Sequence, residues 1–259
     1  MWERDLGRGT LATFYGYRRL TVPDDWAGLA GDGKWVPGRS AFELAQAWQN
    51  AGGLPTGIRA ALDGTGQPAL TGLRLDLCLV EKPVFLDTQR APSMTDLMGY
   101  GRNRSSEAIV VAVEGKVDEP FALPVSSWVC GDQDPPAPAA VPRPSRLRRL
   151  SFLAKHLGID LDAESRLRYQ LLHRTVSAVL EAKLHGAVVA LVIVHAFGNH
   201  SAGNWSDFAA FAVALGSQSV ERQRVLGPLL LGDSRDMPTY LLWFQDDRPG
   251  EVVTKNRLS

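Results

Sequence analysis

The stretch Ala108-Ile109-Val110-Val111-Ala112-Val113-Glu114-Gly115-Lys116 is the clearest strand in the chain. Its first six residues are uncharged and mostly β-branched, which is typical of a central strand that is buried on both faces. Alternate side chains of a strand project to the same side, so Glu114 and Lys116 are expected to lie side by side at its end. Gly115 between them leaves the other side open. The sequence therefore predicts a buried strand that ends in a pair of opposite charges.

Helices and strands around this stretch follow one another as in an α/β protein. Ser40 and Glu43 have capping-box spacing and predict a helix, with a second short helix over 55–62. An alternating run over 73–81 predicts a strand, and a polar loop is expected over 101–106. The remaining predicted elements are helices over 146–157, 162–185 and 206–215 and strands over 187–195 and 240–244. This order predicts an α/β fold with a mixed sheet and helices on both faces.

The length of 259 residues suits one large hydrophobic core, so we expect a single domain over 1–259. The core is expected over about 40–196, with a helix-strand extension over 205–245. Residues 134–144 contain five prolines and therefore predict an exposed loop or linker.

The composition excludes several classes of protein. Lys plus Arg and Asp plus Glu both number 28, so any basic surface for nucleic acid must be local. Cys78 and Cys130 lack CxxC spacing, which argues against a disulfide framework or a cysteine zinc site. No stretch reaches the roughly 18 to 20 apolar residues of a membrane helix, and the charged start 1–5 is not followed by an apolar signal segment. We expect a cytoplasmic protein with no membrane partner.

A second carboxylate is expected near the charged pair. Asp96 precedes Glu114 by 18 residues and belongs to the adjacent strand if residues 99–106 form the connection. Carboxylates from two neighbouring strands form the hard oxygen site that Mg²⁺ or Mn²⁺ prefers. Such an ion polarises a phosphodiester oxygen and activates water, while the ammonium group of Lys116 orients that water or stabilises the developing charge. The pattern predicts Asp96 and Glu114 as metal ligands and Lys116 as the third catalytic group.

Asp96 followed by Glu114-x-Lys116 after an apolar strand resembles the signature of the PD-(D/E)XK nuclease superfamily. The motif Val113-Glu114-Gly115-Lys116-Val117-Asp118-Glu119-Pro120-Phe121 further resembles a bacterial family of restriction-endonuclease-like proteins. The resemblance implies a restriction-endonuclease-like αβββαβ core, Mg²⁺ use and phosphodiester hydrolysis. DNA is the expected substrate, and the sequence leaves RNA open. It departs from the signature at one point, because Thr95 and not proline precedes Asp96. Asp118 and Glu119 are expected in a solvated loop after the strand.

The resemblance also points to the helix after the Glu-x-Lys strand, where polar residues face the active site in several families. Gln170 is our candidate for a fourth catalytic residue, on a polar stripe that is otherwise expected to be the solvated face of an amphipathic helix. This stripe consists of Arg166, Gln170, His173, Arg174 and Ser177. The sequence leaves open whether a further acidic residue joins the metal site; the candidates are Glu43, Glu81, Asp87 and Glu107.

A local basic cluster lies beside the proline-rich segment. It comprises Arg143, Arg146, Arg148 and Arg149. Together with Arg174, these side chains are our candidates for phosphate contacts, with a solvated helix start as the alternative.

A zinc site at His195 and His200 is disfavoured, since their spacing does not match a helical i, i+4 pair. His195 ends an apolar strand, where a hydrogen-bonded core histidine is commoner.

Two alternatives to a nuclease stay open at this point. One is a relative of the same fold that binds nucleic acid or a protein partner without cutting; the other is an unrelated α/β protein in which Glu114 and Lys116 merely pair. A homodimer is an open option, because many such nucleases dimerise to cut both strands.

Overall fold

The computed structural model describes residues 11–31, 33–87, 91–135, 137, 140–160, 166–198 and 202–246. The strands are β1 (Thr13–Tyr15), β2 (Arg19–Leu20), β3 (Arg74–Val84), β4 (Ser93–Arg102), β5 (Ala108–Lys116), β6 (Val189–Phe197), β7 (Val225–Leu229) and β8 (Thr239–Asp246). The helices are α1 (Ser40–Ala51), α2 (Thr56–Asp63), α3 (Val125–Cys130), α4 (Pro144–Leu157), α5 (Tyr169–Leu184) and α6 (Ala202–Ala214). Within these ranges, no helix is long and apolar enough to cross a membrane.

The eight strands form one mixed sheet in the order β2-β1-β3-β4-β5-β6-β8-β7. β3, β4 and β5 form an antiparallel meander, whereas β6 pairs with β5 in parallel and β8 pairs with β6 in parallel. β5 and β6 are buried along their whole length apart from the first residue of β5. The prediction of an α/β protein with a mixed sheet flanked by helices is confirmed.

The two faces of the sheet carry separate hydrophobic clusters. The odd-numbered residues Val111 and Val113 of β5 pack with α1 and α2, and the even-numbered Val110 and Ala112 pack with α3 to α6. Glu114 and Lys116 continue the even-numbered series, so strand alternation directs both side chains towards the face that α5 covers.

β4 is longer than its sequence indicates. Proline and aspartate are depleted in strands, so residues 92–98 do not by themselves indicate a strand. Gly101 is required there by tertiary packing, because a Cβ at this position would overlap the backbone carbonyl of Arg74 on β3. The strand continues to Arg102, and only residues 103–107 connect it to β5.

Several predicted boundaries differ from the structure. Pro144 lies in the first turn of α4 and not in the preceding loop, since proline needs no backbone donor there. The proposed start of the long helix at Asp162 lies outside the described residues, and the described helix α5 begins at Tyr169. Sequence patterns missed β1, β2, α3 and β7, which are too short to carry a clear period.

Candidate functional site

The antiparallel pairing of β4 and β5 places Asp96 directly across from Glu114. Leu97 pairs with Val113, so the next position in the register sets the two acidic residues side by side. The Oδ2 atom of Asp96 accepts a hydrogen bond from the backbone N–H of Gly115 at 2.9 Å. The carboxylate pair that the sequence predicted on neighbouring strands therefore lies at one end of the sheet.

Glu114 is almost completely enclosed by donors. The Nζ atom of Lys116 lies 2.9 Å from Oε1, and Nε2 of Gln170 donates to the same oxygen at 2.6 Å. Arg174 donates to Oε2 through Nε at 2.8 Å and also through Nη2. These four donors match the roughly four lone-pair positions of a carboxylate. Glu114 is thus fixed in place by α5 and by its own strand.

Arg174 connects the two carboxylates from the side of α5. Its Nη2 atom, which bonds Glu114, also lies 3.3 Å from Oδ1 of Asp96, and Nη1 donates to the carbonyl of Met94. Only 2% of Arg174 is exposed, and Ser177 is fully buried. The interpretation of this stripe as a solvated face is wrong for these two residues, and Arg174 is not available to contact phosphates on the surface.

The charges of the cluster determine how its carboxyls titrate. Burial opposes ionisation of Glu114, but the charges of Arg174 and Lys116 outweigh it and lower its pKa to about 2. Asp96 has the opposite balance, because burial and the neighbouring Glu114 charge raise its pKa to about 7. Burial also raises the pKa of Glu81. Glu114 is held ionised while Asp96 lacks sufficient compensating positive charge.

A pocket of about 520 Å³ opens onto this cluster. Its polar wall consists of Glu81, Asp96, Glu114, Lys116, Glu119 and Gln170. The opposite wall comes from the segment that leads into α1 and from the first turns of α1; it includes Trp26, Leu29, Lys34, Arg39, Ser40 and Leu44. A Cβ at Gly115 would lie 3.4–3.5 Å from Ser40 and Leu44, an ordinary contact distance, so α1 packs closely against this end of β5. Arg174 does not line the pocket but supports its polar wall from behind.

The side chains of the pocket suit a hard divalent cation. Carboxylate oxygens are the ligands that Mg²⁺ and Mn²⁺ prefer, and four acidic residues face the pocket. Glu119 has a buried Oε1 atom with no hydrogen-bond partner among the described residues, and Asp96 keeps 27% of its side chain exposed. In the described part of the chain, no three such ligand side chains already converge on one point. Mg²⁺ commonly uses only one or two protein carboxylates, so this arrangement is compatible with an ion.

The other acidic candidates differ in their positions. Glu81 lies across from Asp96 by the β3–β4 register, has a φ of 51° and lines the pocket. Glu43 is buried in α1 and accepts a hydrogen bond from the Gly38 N–H at 2.7 Å. Asp87 pairs with Arg149 at 2.8 Å. Glu107 follows the far end of β4 and accepts a hydrogen bond from Asn103. Of these four, only Glu81 lines the pocket.

The arginines beside the proline-rich segment are engaged within the protein. Arg146 pairs with Asp132 and lies over the ring of Trp128, and Arg149 is buried against Asp87. Arg148 is exposed. None of them lines the pocket, so this cluster does not form a continuous basic patch next to the carboxylates.

His195 is a core histidine. It is fully buried, and its Nδ1 accepts a hydrogen bond from the indole N–H of Trp48 at 3.0 Å. Its Nε2 points towards Asp246 at 3.8 Å. His200, the other member of the disfavoured zinc pair, lies outside the described residues.

Two residues of the site were expected on solvent-exposed surface. Arg174 follows Gln170 by four positions, which places both on one helix face. Glu119 belongs to the same short motif as Glu114 and Lys116 but was expected in solvent. Both residues contact the cluster or the pocket only because α5 and the loop after β5 fold over the end of the sheet.

Comparison with known proteins gave one match. Neither the curated proteins nor the solved structures contain a significant match to this chain. Residues 19–248 match a family described as "Domain of unknown function (DUF6946)". This match covers most of the 259 residues, and it includes the pocket and the whole of the β3–β6 core. The chain therefore belongs to the DUF6946 family.

Proposed function

We propose that this protein is a Mg²⁺-dependent nuclease with a restriction-endonuclease-like core, acting on DNA. The observation that carries the proposal is the placement of Asp96 across from Glu114, with Lys116 bonded to Glu114, at a pocket. The order of α1, β3, β4, β5, α5 and β6 supports it, because it corresponds to the αβββαβ arrangement of that core once the additional helices are set aside.

Each residue has a distinct part in the proposed reaction. Asp96 and Glu114 would hold the ion, which when bound polarises the phosphodiester and activates water. Lys116 is fixed by Glu114 at 2.9 Å and has only 4% of its surface exposed. Burial lowers the pKa of Lys116, but the charges of Glu114 and Asp96 outweigh this effect and raise it. Its ammonium group therefore stays protonated and stabilises negative charge that develops on the phosphate oxygens.

Gln170 has a positioning role in this proposal. Its Nε2 donates to Glu114, and its Oε1 accepts a hydrogen bond from the backbone N–H of Ala122 at 3.2 Å. It therefore ties the carboxylate to the loop after β5. Lateral support of this kind keeps metal ligands oriented.

One observation favours a second candidate, a protein that binds nucleic acid without cutting it. All four lone-pair positions of Glu114 are used by Lys116, Gln170 and Arg174. For Glu114 to ligate an ion, one of these donors must give way. A site that retained Arg174 and its partners unchanged would bind phosphate through the cations that line the pocket, such as Lys34 and Arg39, and leave the phosphodiester intact.

Cleavage and metal binding measured together separate the two candidates. Plasmid DNA, single-stranded DNA and RNA are incubated with wild type, Asp96→Asn, Lys116→Met and, as the matched control, Asp76→Asn on the exposed side of β3. Mn²⁺ binding is measured by calorimetry on the same samples.

If the protein is a nuclease, wild type should bind Mn²⁺, and cleavage should be lost in Asp96→Asn and Lys116→Met but kept in Asp76→Asn. Cleavage that survives in folded Asp96→Asn and Lys116→Met would overturn the assignment. A wild type that binds nucleic acid but no Mn²⁺ supports the second candidate.

A further inference from the structure

The loop that follows β5 brings one more carboxylate to the pocket. Glu119 lines the pocket together with Asp96 and Glu114. Its Oε2 accepts a hydrogen bond from the backbone N–H of Val117 at 3.3 Å. Its Oε1 is buried and has no hydrogen-bond partner in the part of the chain that the structure describes.

This orientation is maintained by a buried residue of α6. Asn204, 5% exposed, donates through Nδ2 to the carbonyl oxygen of Glu119 at 2.9 Å. Its Oδ1 accepts the backbone N–H of Phe121 at 3.2 Å. Phe121 is itself buried and lies below the ammonium group of Lys116, 5.1 Å from its ring centre. The loop is therefore attached both to α6 and to the catalytic lysine.

A buried oxygen without a partner is unusual in a folded protein. Most buried polar atoms are hydrogen-bonded, and an acceptor that is buried without a partner destabilises the folded state. Because Glu119 lines the pocket and Asn204 holds its loop in place, a ligand bound in the pocket is in position to supply the missing partner. Because neighbouring Asp96 and Glu81 are also acidic and also line the pocket, a cation suits this position better than a neutral donor.

The hydrogen bonds that the other carboxylates already accept also favour Glu119 as a cation ligand. Four donors already saturate Glu114, whereas within the described ranges Asp96 accepts from Gly115 and Arg174 alone. Of Asp96, Glu114 and Glu119, the open acceptor positions thus belong to Asp96 and Glu119.

We propose that Glu119 is a cation-binding residue of the site, and that Oε1 supplies the open carboxylate oxygen that Glu114 lacks. This inference rests on the proposed metal-dependent function. It adds a residue outside the Asp96 and Glu114-x-Lys116 pattern and gives a reason for the position of Asn204.

Calorimetric titration with Mn²⁺ at about pH 8, where free carboxylates are ionised, tests this inference on four proteins. They are wild type, Glu119→Gln, Asp96→Asn and the control Asp118→Asn, which changes the exposed neighbour of Glu119. We expect Glu119→Gln to weaken Mn²⁺ binding about 10- to 100-fold, the range for residues that support a metal site. Asp118→Asn should bind as wild type does.

Urea unfolding without metal separates cation binding from a structural role. Glutamine keeps an acceptor for Val117 and removes the charge, so Glu119→Gln should be at least as stable as wild type when no metal is present. Weakened binding accompanied by lower metal-free stability would identify a structural residue and overturn the inference. Wild-type affinity in Glu119→Gln, with binding lost in Asp96→Asn, would overturn it and leave the proposed function intact. A wild type that binds no Mn²⁺ would overturn both.

Discussion

Replacing Asp96 by asparagine should make the protein more stable above neutral pH. The folded protein raises the pKa of this carboxyl from 3.8 to about 7, because the group is buried and lies beside Glu114. Between these values the folded state binds a proton that the unfolded state has released, so stability falls as pH rises. The isosteric asparagine has no proton to lose. This part of the pH dependence must therefore disappear in the variant.

The size of the effect follows from the same change in pKa. At about 1.4 kcal/mol per pH unit, the penalty between about pH 5 and pH 7 approaches 3 kcal/mol for a fully buried group. Asp96 keeps 27% of its side chain exposed, and screening by water reduces the expected difference to about 1–2 kcal/mol. Glu114 does not interfere in this range, because its lowered pKa of about 2 confines its own loss of stabilisation to acidic pH, below its ordinary value of 4.5.

Urea unfolding of wild type and Asp96→Asn at about pH 5 and about pH 8, without divalent ions, measures this difference. Between about pH 5 and about pH 8, the free energy of unfolding of Asp96→Asn should rise by about 1–2 kcal/mol relative to that of wild type. Asp76→Asn, on the exposed side of β3, should follow wild type at both. If the free energies of unfolding of wild type and Asp96→Asn changed equally between about pH 5 and about pH 8, the reasoning would be refuted, because Asp96 would then not lose a proton in the folded protein across this range.

Two further substitutions test contacts that hold the site and the core. Arg174→Met leaves the buried Glu114 charge with only Lys116 and Gln170, so the free energy of unfolding in urea at neutral pH should fall by about 3 kcal/mol. The control Arg166→Met changes an exposed position just before α5 and should be neutral. If Arg174→Met were as stable as wild type, the assigned role of Arg174 would be contradicted. Trp48→Phe removes the donor to Nδ1 of the fully buried His195 and should cost about 1–3 kcal/mol, and a thermal midpoint identical to that of wild type would show that this hydrogen bond does not stabilise the core.

Much of the architecture was predictable because its signals are local. The six apolar residues before Glu114 identify a central strand by composition alone, and strand alternation alone places Glu114 and Lys116 on one side of it. The capping-box spacing at Ser40 and Glu43 indicated the start of α1 to within one residue, but no capping box forms: the N-cap is Arg39, without a side-chain cap, and Glu43 bonds the backbone of Gly38. Short-range spacing is sufficient for such features, since each depends on a few adjacent residues.

The arrangement of the site was decided by tertiary structure. Asp96 lies across from Glu114 because of the antiparallel register of β4 and β5, which the weak strand pattern of residues 92–98 does not reveal. Arg174 belongs to a helix face that is polar by sequence but buried in the fold, because α5 packs over the charged end of β5. There the guanidinium group of Arg174 contacts the carboxylates of Glu114 and Asp96. Glu119 reaches the pocket because Asn204, 85 residues away, fixes its loop. Sequence alone thus determined which strand carries the charged pair, whereas long-range packing decided which other charges surround it, since burial and electrostatic balance depend on neighbours that are distant in the chain.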